Sequence, residues 1–252
     1  MTKKILLFAT LFFIFLNGFG GSFEDSLQAG NTFYSQEKFE DAIRAYEYVI
    51  EQGYEAPELY YNLGNAYFKS HKITYSILNY EKAVLLDPRN EDIEYNLNLA
   101  KSFVVDKIEL VPGFVLSEWH HAFVNLFSSD VWAIISISTF FLLLLFLSMY
   151  LYLRNYGIKK LFFWFSVLLL YVTISSFVFS YHHRRLLLNP GTALVLSPSV
   201  TVESSPDQSG TDLFLIHEGT KLTVKESVGD WTKIRLSDGK EGWVPTESII
   251  LI

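Results

Sequence analysis

The segments VWAIISISTFFLLLLFLSMYLYL (131–153) and LFFWFSVLLLYVTISSFVFSY (161–181) decide the fold of this chain, because neither contains a charged side chain. With a rise of about 1.5 Å per residue, a helix of either length crosses a hydrocarbon core of about 30 Å. The loop between them (154–160) is too short to recross a bilayer. We therefore predict a transmembrane helical hairpin with both flanking regions on one side of the membrane. The alternative is a hairpin buried in a soluble core.

Charge is distributed unevenly along the 252 residues. Between Ser22 and Asp130 there are 18 acidic and 8 basic residues, and from Leu186 to the end there are 9 and 5. The remaining basic residues all flank apolar segments. Acidic soluble regions disfavour a nucleic-acid partner, since they repel phosphate. The chain has no cysteine, which excludes disulfides, thiolate metal sites and a thiol nucleophile.

The first 21 residues have the pattern of an export signal. Lys3-Lys4 precede an apolar run (5–16) and an exit of mostly small residues (17–22). We predict a cleaved signal, with an uncleaved anchor as the alternative. Export places residues 22–130 and 182–252 in the periplasm and the basic loop 154–160 in the cytoplasm, in agreement with the positive-inside rule. The predicted location is the bacterial inner membrane, crossed by two spans.

Gly30 and Gly64, which are 34 residues apart, mark an internal repeat. Each glycine is followed by an asparagine and then, within four residues, by a tyrosine. Matching residues recur 9, 12, 16 and 19 positions after each glycine, namely Phe39, Ala42, Tyr46 and Val49 in the first unit and Ile73, Ser76, Tyr80 and Ala83 in the second. The small residue lets two helices approach, the aromatic residue fills the adjacent space, and Pro88 ends the second unit.

This pattern resembles the tetratricopeptide repeat. The second unit agrees best, through Tyr60, Leu63, Gly64, Tyr67, Tyr80, Ala83 and Pro88. We assign 22–106 to a repeat domain of two repeats plus a capping helix from Asn90 to about Phe103. Because so short a stack buries little apolar surface, we expect it to lean on a partner, on the membrane or on another copy.

Stacked repeats form a concave face from their first helices, and this face is the predicted partner-binding groove. The alternative for each residue is an ordinary solvated or core-edge side chain. The candidate groove residues are Asn31, Tyr34, Tyr61, Asn62, Asn65, Phe68 and Lys69.

Residues 107–130 form the predicted interfacial linker to the first span, because Val111-Pro112-Gly113 is followed by an apolar and aromatic segment. His120-His121 precede the first span and His182-His183 follow the second, so the hairpin places both pairs at one end. Imidazole pairs from two helices can bind a metal or haem, but polar side chains at an interface explain them as well. We predict no metal site and no cofactor.

Residues 190–252 have the pattern of a small all-β domain, in which short strand-like segments are separated by turn-forming residues. The predicted strands are 192–196, 200–204, 213–216, 221–226, 231–236, 242–244 and 248–251. The strings VGDWTKIR (228–235) and GWVP (242–245) resemble the paired strands of a bacterial SH3-like barrel. Trp231 and Trp243 are its surface-site candidates, although strand packing is the alternative role for both. The predicted fold class is multi-domain: an all-α tetratricopeptide repeat stack, a two-helix transmembrane hairpin (131–153 and 161–181) and a C-terminal all-β SH3-like barrel.

The order of signal, repeats, hairpin and barrel, together with residues 197–202 and 210–214, resembles the BatE proteins of the Bacteroidetes aerotolerance (Bat) operon. The resemblance implies membrane-anchored von Willebrand factor A-type proteins and a MoxR-type AAA ATPase as neighbours. It implies a periplasmic scaffold linked to aerotolerance or stress, with no catalytic residues.

The sequence therefore predicts a non-enzymatic scaffold that binds membrane-protein partners through the repeat groove. The alternative is a peptidoglycan-binding envelope factor that acts through the barrel. An enzyme or transporter is disfavoured, because the two spans carry no Asp, Glu, Lys, Arg or His side chain that could form a proton or ion path.

Overall fold

The computed structural model describes residues 21–108, 119, 123–188, 191–207 and 209–252. The predicted signal up to residue 20, linker residues 109–118, and His120-His121 lie outside these ranges. The main helices are α1 (Gly21–Ser35), α2 (Phe39–Glu51), α3 (Pro57–Lys69), α4 (Ile73–Leu86), α5 (Glu91–Lys101), α6 (Ser129–Tyr152) and α7 (Tyr156–Leu188).

Helices α1–α5 form the predicted repeat stack. Helix α1 packs on α2 and α3 packs on α4, while α5 covers the end of the stack and begins at the capping residue Asn90. The turn inside each pair is the same, because Glu37 and His71 both have left-handed backbone conformations, with φ of 59° and 60°. The amides of Lys38 and Lys72 donate to the carbonyl five residues earlier, at 2.9 and 3.0 Å. The structure therefore repeats at the spacing seen in the sequence.

Close packing of a glycine on a tyrosine holds each helix pair together. A Cβ atom on Gly30 would lie 2.5 Å from the Tyr46 ring, and one on Gly64 would lie 2.7 Å from the Tyr80 ring. Ser76, the small residue of the second unit, is fully buried, and its hydroxyl donates to the Gly64 carbonyl at 2.9 Å. Glycine is therefore required sterically at both positions.

Substitution Gly64→Ala is expected to lower the stability of the repeat stack by about 2 kcal/mol, since the new methyl group overlaps a buried ring. The matched control is Gly191→Ala, because no atom lies within 4 Å of the new methyl group there. Thermal unfolding of the purified chain, followed by circular dichroism, compares the two variants. Equal midpoints would contradict this description of the helix packing.

Helices α6 and α7 form the predicted hairpin, but the turn is only residues 153–155, shorter than the predicted loop 154–160. The turn is shorter because the Asn155 side chain accepts hydrogen bonds from the amides two and three residues later, at 3.0 and 3.3 Å. Helix α7 also runs beyond the predicted end of the span to Leu188, since the helix-stopping Pro190 comes only after it.

Small hydroxyl side chains join α6 to α7 along the hairpin. Ser136 donates to the Thr173 carbonyl at 3.0 Å, and the Thr173 hydroxyl donates to that of Thr139 at 2.9 Å. The apolar windows of the two helices have mean hydropathies of 2.4 and 2.1, and only 11% of each window is buried. Their apolar side chains thus face outward, so both helices are candidate membrane spans and a buried soluble hairpin is disfavoured.

The C-terminal region is the predicted all-β unit. Its strands are β1 (Thr192–Val195), β2 (Ser199–Glu203), β3 (Asp212–His217), β4 (Lys221–Val228), β5 (Trp231–Arg235), β6 (Glu241–Pro245) and β7 (Ile249–Leu251). They pair antiparallel in the order β3-β2-β6-β5-β4-β1-β7. The core contains Ala193, Val195, Val202, Ile216, Leu222, Ile234, Leu236 and Val244.

Strand β1 joins the barrel to the repeat stack. Ala193 and Val195 point into the barrel core, and Leu194, between them, points the other way into a cluster with Ile77 and Leu78 of α4. Leu194 and Ile77 are both 0% exposed. The support that the short stack requires therefore comes at least in part from the chain's own barrel, a contact that the sequence did not predict. We call α1–α5 together with the barrel the composite head.

Candidate functional site

An open groove of about 260 Å³ lies on the concave face of the repeat stack. Helix α3 forms its floor, and α1 and α5 form its sides. Its lining residues are Tyr34, Tyr61, Asn65, Phe68, Lys69, Tyr80, Asn96 and Leu99. Five of the seven predicted site residues thus come together here. We call this surface the repeat groove.

The other two predicted residues, Asn31 and Asn62, belong to a ladder of amides that joins the first helices. Asn31 Oδ1 accepts from the Tyr46 hydroxyl at 2.7 Å and from Asn62 Nδ2 at 3.2 Å. The second repeat has the same arrangement: Asn65 Oδ1 accepts from the Tyr80 hydroxyl at 2.6 Å and from Asn96 Nδ2 at 3.1 Å. The amide oxygens of Asn31 and Asn65 thus have two donors each, and their role includes holding neighbouring repeats in register.

Burial sets the protonation of the tyrosines around this ladder. It raises the pKa of Tyr46 to about 12, and it raises the pKa values of Tyr34 and Tyr80 as well. All three phenols are therefore neutral at physiological pH. The repeat groove presents aromatic faces, amide groups and the Lys69 ammonium, a combination suited to a peptide backbone with apolar side chains.

Tyr80, Asn96 and Leu99 line the repeat groove but were absent from the sequence prediction. Asn96 and Leu99 lie 34 residues after Asn62 and Asn65, so continuing the repeat into the capping helix identifies both. The repeat pattern predicts a packing role for Tyr80. Acidic side chains and histidines are absent from this lining, and the described part of the chain holds no group of three or more possible metal ligands from His, Asp and Glu.

Trp231 and Trp243 lie on neighbouring strands of the barrel. Trp231 pairs with Pro245, and Lys233 pairs with Trp243, so side-chain alternation places all four on the outer face. Both indoles are half-buried, and Lys233 Nζ lies 6.0 Å from the centre of the Trp243 ring. The structure thus brings the two predicted tryptophans onto one surface.

Of the two histidine pairs, only the second lies within the described residues. His183 is buried, and its Nε2 lies 3.1 Å from the Val124 carbonyl. That carbonyl also accepts from the Trp132 indole at 2.8 Å. His183 therefore helps to close the open end of the hairpin.

Glu81 lies at the junction between α4 and the barrel, with its side chain only 9% exposed. Its two carboxylate oxygens lie 2.8 Å from Lys101 Nζ and 2.7 Å from Lys221 Nζ. Burial alone raises the pKa of this carboxyl, but the two ammonium groups outweigh it and hold the pKa below its usual value. Glu81 is therefore ionised at neutral pH, and one ion cluster links α4, α5 and β4.

A second polar cluster at the junction surrounds Asp106. Its carboxylate accepts from the His217 amide at 2.6 Å, from the Thr220 hydroxyl at 2.7 Å, and lies 2.8 Å from His217 Nδ1. Burial opposes ionisation, but these partners hold the Asp106 pKa below its usual value. Nearby, the Thr74 hydroxyl donates to Glu218 at 2.9 Å. The composite head is thus joined by polar groups around an apolar centre.

Comparison with known families identifies the two kinds of module. The family described as Bacterial SH3 domain matches residues 199–250. The families described as TPR repeat and Tetratricopeptide repeat match residues 30–70 and 57–90. No curated protein sequence matches the chain. The chain therefore contains tetratricopeptide repeats and a bacterial SH3 domain, both of which are typically non-catalytic interaction modules.

Proposed function

We propose that this chain is a membrane-anchored scaffold whose composite head binds a protein partner through the repeat groove. The observation that carries the proposal is the groove itself, which is open, aromatic and lined with amides. Tetratricopeptide repeats are interaction modules, which supports the same role. The α6–α7 hairpin anchors the head in the inner membrane.

The structure supports placing the head on one side of the bilayer. Both the repeats and the barrel connect to the end of the hairpin opposite its turn, and Arg184 of α7 lies 3.9 Å from Glu55 of the repeat domain. The export pattern and the basic turn favour the periplasmic side. The resemblance to the Bat operon suggests a von Willebrand factor A-type partner, within a complex that includes a MoxR-type ATPase and serves aerotolerance or stress resistance.

The double substitution Tyr61→Ala plus Asn65→Ala tests the repeat groove. Loss of an aromatic side chain at the centre of a protein interface costs about 2 kcal/mol or more, so the dissociation constant is expected to rise about thirtyfold and recovery of the partner from crosslinked membranes to fall. The matched control is Tyr48→Ala plus Asn98→Ala, which removes exposed side chains that do not line the groove. Both variants are first checked for helix content, since Asn65 also joins two repeats.

Recovery of the same membrane proteins by the wild type and the groove variant would contradict the proposal. If a Bat-type protein is recovered with the wild type but not with the groove variant, the proposed role in a Bat complex is supported. A different membrane protein would support the scaffold and reject the Bat role.

A second proposed function is peptidoglycan binding by the barrel, which is favoured by the two tryptophans on one outer face. Sedimentation with purified peptidoglycan tests this function. The full chain is used and not the isolated barrel, because the barrel shares buried surface with α4. Trp231→Ala plus Trp243→Ala is expected to abolish co-sedimentation. Unchanged co-sedimentation would exclude this surface as the binding site.

A further inference from the structure

A second cavity, of about 380 Å³, lies where the hairpin turns. It is lined by Tyr150, Tyr156, Lys159, Lys160 and Phe163. Lys159 Nζ lies 4.9 Å from the centre of the Tyr150 ring, and the Phe163 ring centre lies 5.8 Å from the same ring. Aromatic rings and two ammonium groups are thus combined at the end of a pair of apolar helices. We call this cavity the turn pocket.

Among the described residues, the positive charge at the turn of the hairpin has no acidic partner. Arg154, Lys159 and Lys160 lie within seven residues, whereas the sequence contains no Asp or Glu from Val131 to Val202. Throughout the described ranges, no carboxylate forms an ion pair with any of the three. At the other end of the hairpin, by contrast, Arg184 lies close to a carboxylate of the repeat domain. The turn therefore has cations that no acidic side chain neutralises within the part of the chain that the structure describes.

We propose that the turn pocket binds the headgroup of an anionic phospholipid. The inference rests on the proposed anchoring of the hairpin in a bilayer, which places the end of α6 and the start of α7 at headgroup depth. The Lys159 and Lys160 ammonium groups contact the lipid phosphate, and Tyr150 and Tyr156 lie at the level of the glycerol. Phe163, one turn further into α7, contacts the start of an acyl chain.

The mixed lining favours a lipid over a free anion. Phe163 and the tyrosine rings offer apolar surface that inorganic phosphate cannot use, while a zwitterionic headgroup does not neutralise the lysines. Juxtamembrane cations each strengthen attraction to anionic lipid, so two of them produce a measurable selectivity. The ligand chemistry is therefore a phosphodiester with net negative charge on a lipid anchor.

Native mass spectrometry of the full chain in detergent, after removal of copurified lipid, tests the proposal. The probes are phosphatidylglycerol and phosphatidylcholine with the same acyl chains. The first molecule of phosphatidylglycerol to bind is expected to bind about tenfold more tightly than the first molecule of phosphatidylcholine. In the variant Lys159→Gln plus Lys160→Gln the selectivity is expected to fall below about twofold. The matched control, Arg184→Gln plus Arg185→Gln at the other end of α7, is expected to keep it.

Equal binding of the two lipids by the wild type would overturn the proposal, as would an equal loss of selectivity in the control variant. Displacement of phosphatidylglycerol by millimolar inorganic phosphate would show a free-anion site and would also overturn it. Extraction of the membranes with alkaline carbonate separates the two proposals. A chain that stays in the pellet but lacks lipid selectivity rejects the turn pocket alone, whereas a chain that leaves the pellet rejects the anchoring.

Discussion

The substitution Leu194→Asp is expected to detach the barrel from the repeat stack and to lower the free energy of unfolding by about 4 kcal/mol. Leu194 is 0% exposed, and it packs between strand β1 and helix α4 beside Ile77. If the barrel of the variant docked on the repeat stack, the introduced carboxylate would be buried among apolar side chains. Because Leu194 points away from the barrel core, the barrel itself is expected to keep its strands. Hydrogen exchange of α4 and β1 measures the loss of docking.

The matched control is Leu213→Asp on strand β3, where the leucine side chain is 48% exposed. Aspartate in that position reaches water, so the stability change is expected to stay within about 0.5 kcal/mol. Equal protection of α4 in the Leu194→Asp variant and the wild type would show that the barrel does not cover this helix.

The double substitution Lys101→Met plus Lys221→Met is expected to lower the free energy of unfolding by about 2–3 kcal/mol at neutral pH. It leaves the Glu81 carboxylate buried without a counter-charge. The expected loss is smaller than for a fully enclosed pair, since both lysines are 40% exposed and water reaches part of the cluster. Chemical denaturation of the purified chain measures the change.

The pH dependence of the free energy of unfolding tests whether the unpaired Glu81 carboxylate causes the loss. In the wild type the Glu81 pKa is lowered in the folded state, so its contribution is present at neutral pH and is lost as the pH falls below the ordinary glutamate value. In the double-methionine variant burial alone acts on Glu81, so the penalty shrinks as the pH falls. Adding Glu81→Gln to the double variant is expected to restore much of the stability. If the triple variant were no more stable than the double-methionine variant, the buried charge of Glu81 would not be the cause of the loss.

The helices, the hairpin and the strands follow from patterns that the sequence displays locally. Uncharged stretches predict α6 and α7, the spacing of Gly30 and Gly64 predicts the repeats, and alternation with turn residues predicts the strands. The turn of the hairpin differs from its prediction because the Asn155 side chain starts α7 early. Such a cap depends on one side-chain conformation, which a hydropathy pattern does not contain.

The docking of the barrel could not be predicted in the same way, because its residues look ordinary in their own elements. From the sequence, Leu194 is one apolar residue of a short strand, and Glu81 is one of several charged residues on helices. One signal was present: α4 (ITYSILNYEKAVLL) is apolar on more than one face, which indicates a helix covered on several sides. That pattern shows that α4 is covered but does not identify the barrel as the cover.

The lining of the repeat groove follows only in part from the sequence, for a related reason. Position within the repeat predicts which residues face the concave side, and Tyr34, Tyr61, Asn65, Phe68 and Lys69 line the repeat groove. It does not predict that Asn62 Nδ2 donates to Asn31 Oδ1, a hydrogen bond that joins two of the candidate partner-binding residues. Hydrogen-bond pairing between repeats depends on side-chain conformation, which position within the repeat does not determine.

A cysteine pair across the junction tests the composite head most directly, because the chain has no cysteine of its own. In native membranes containing the Thr74→Cys plus Glu218→Cys variant, a short bismaleimide crosslinker is expected to join the two positions, because Thr74 Oγ1 and Glu218 Oε1 lie 2.9 Å apart in the wild type. Mass spectrometry then finds one crosslinked peptide pair, which each single-cysteine variant lacks. Full labelling of both thiols by a maleimide, with no linked peptide, would show that the repeats and the barrel are separate and would contradict this account.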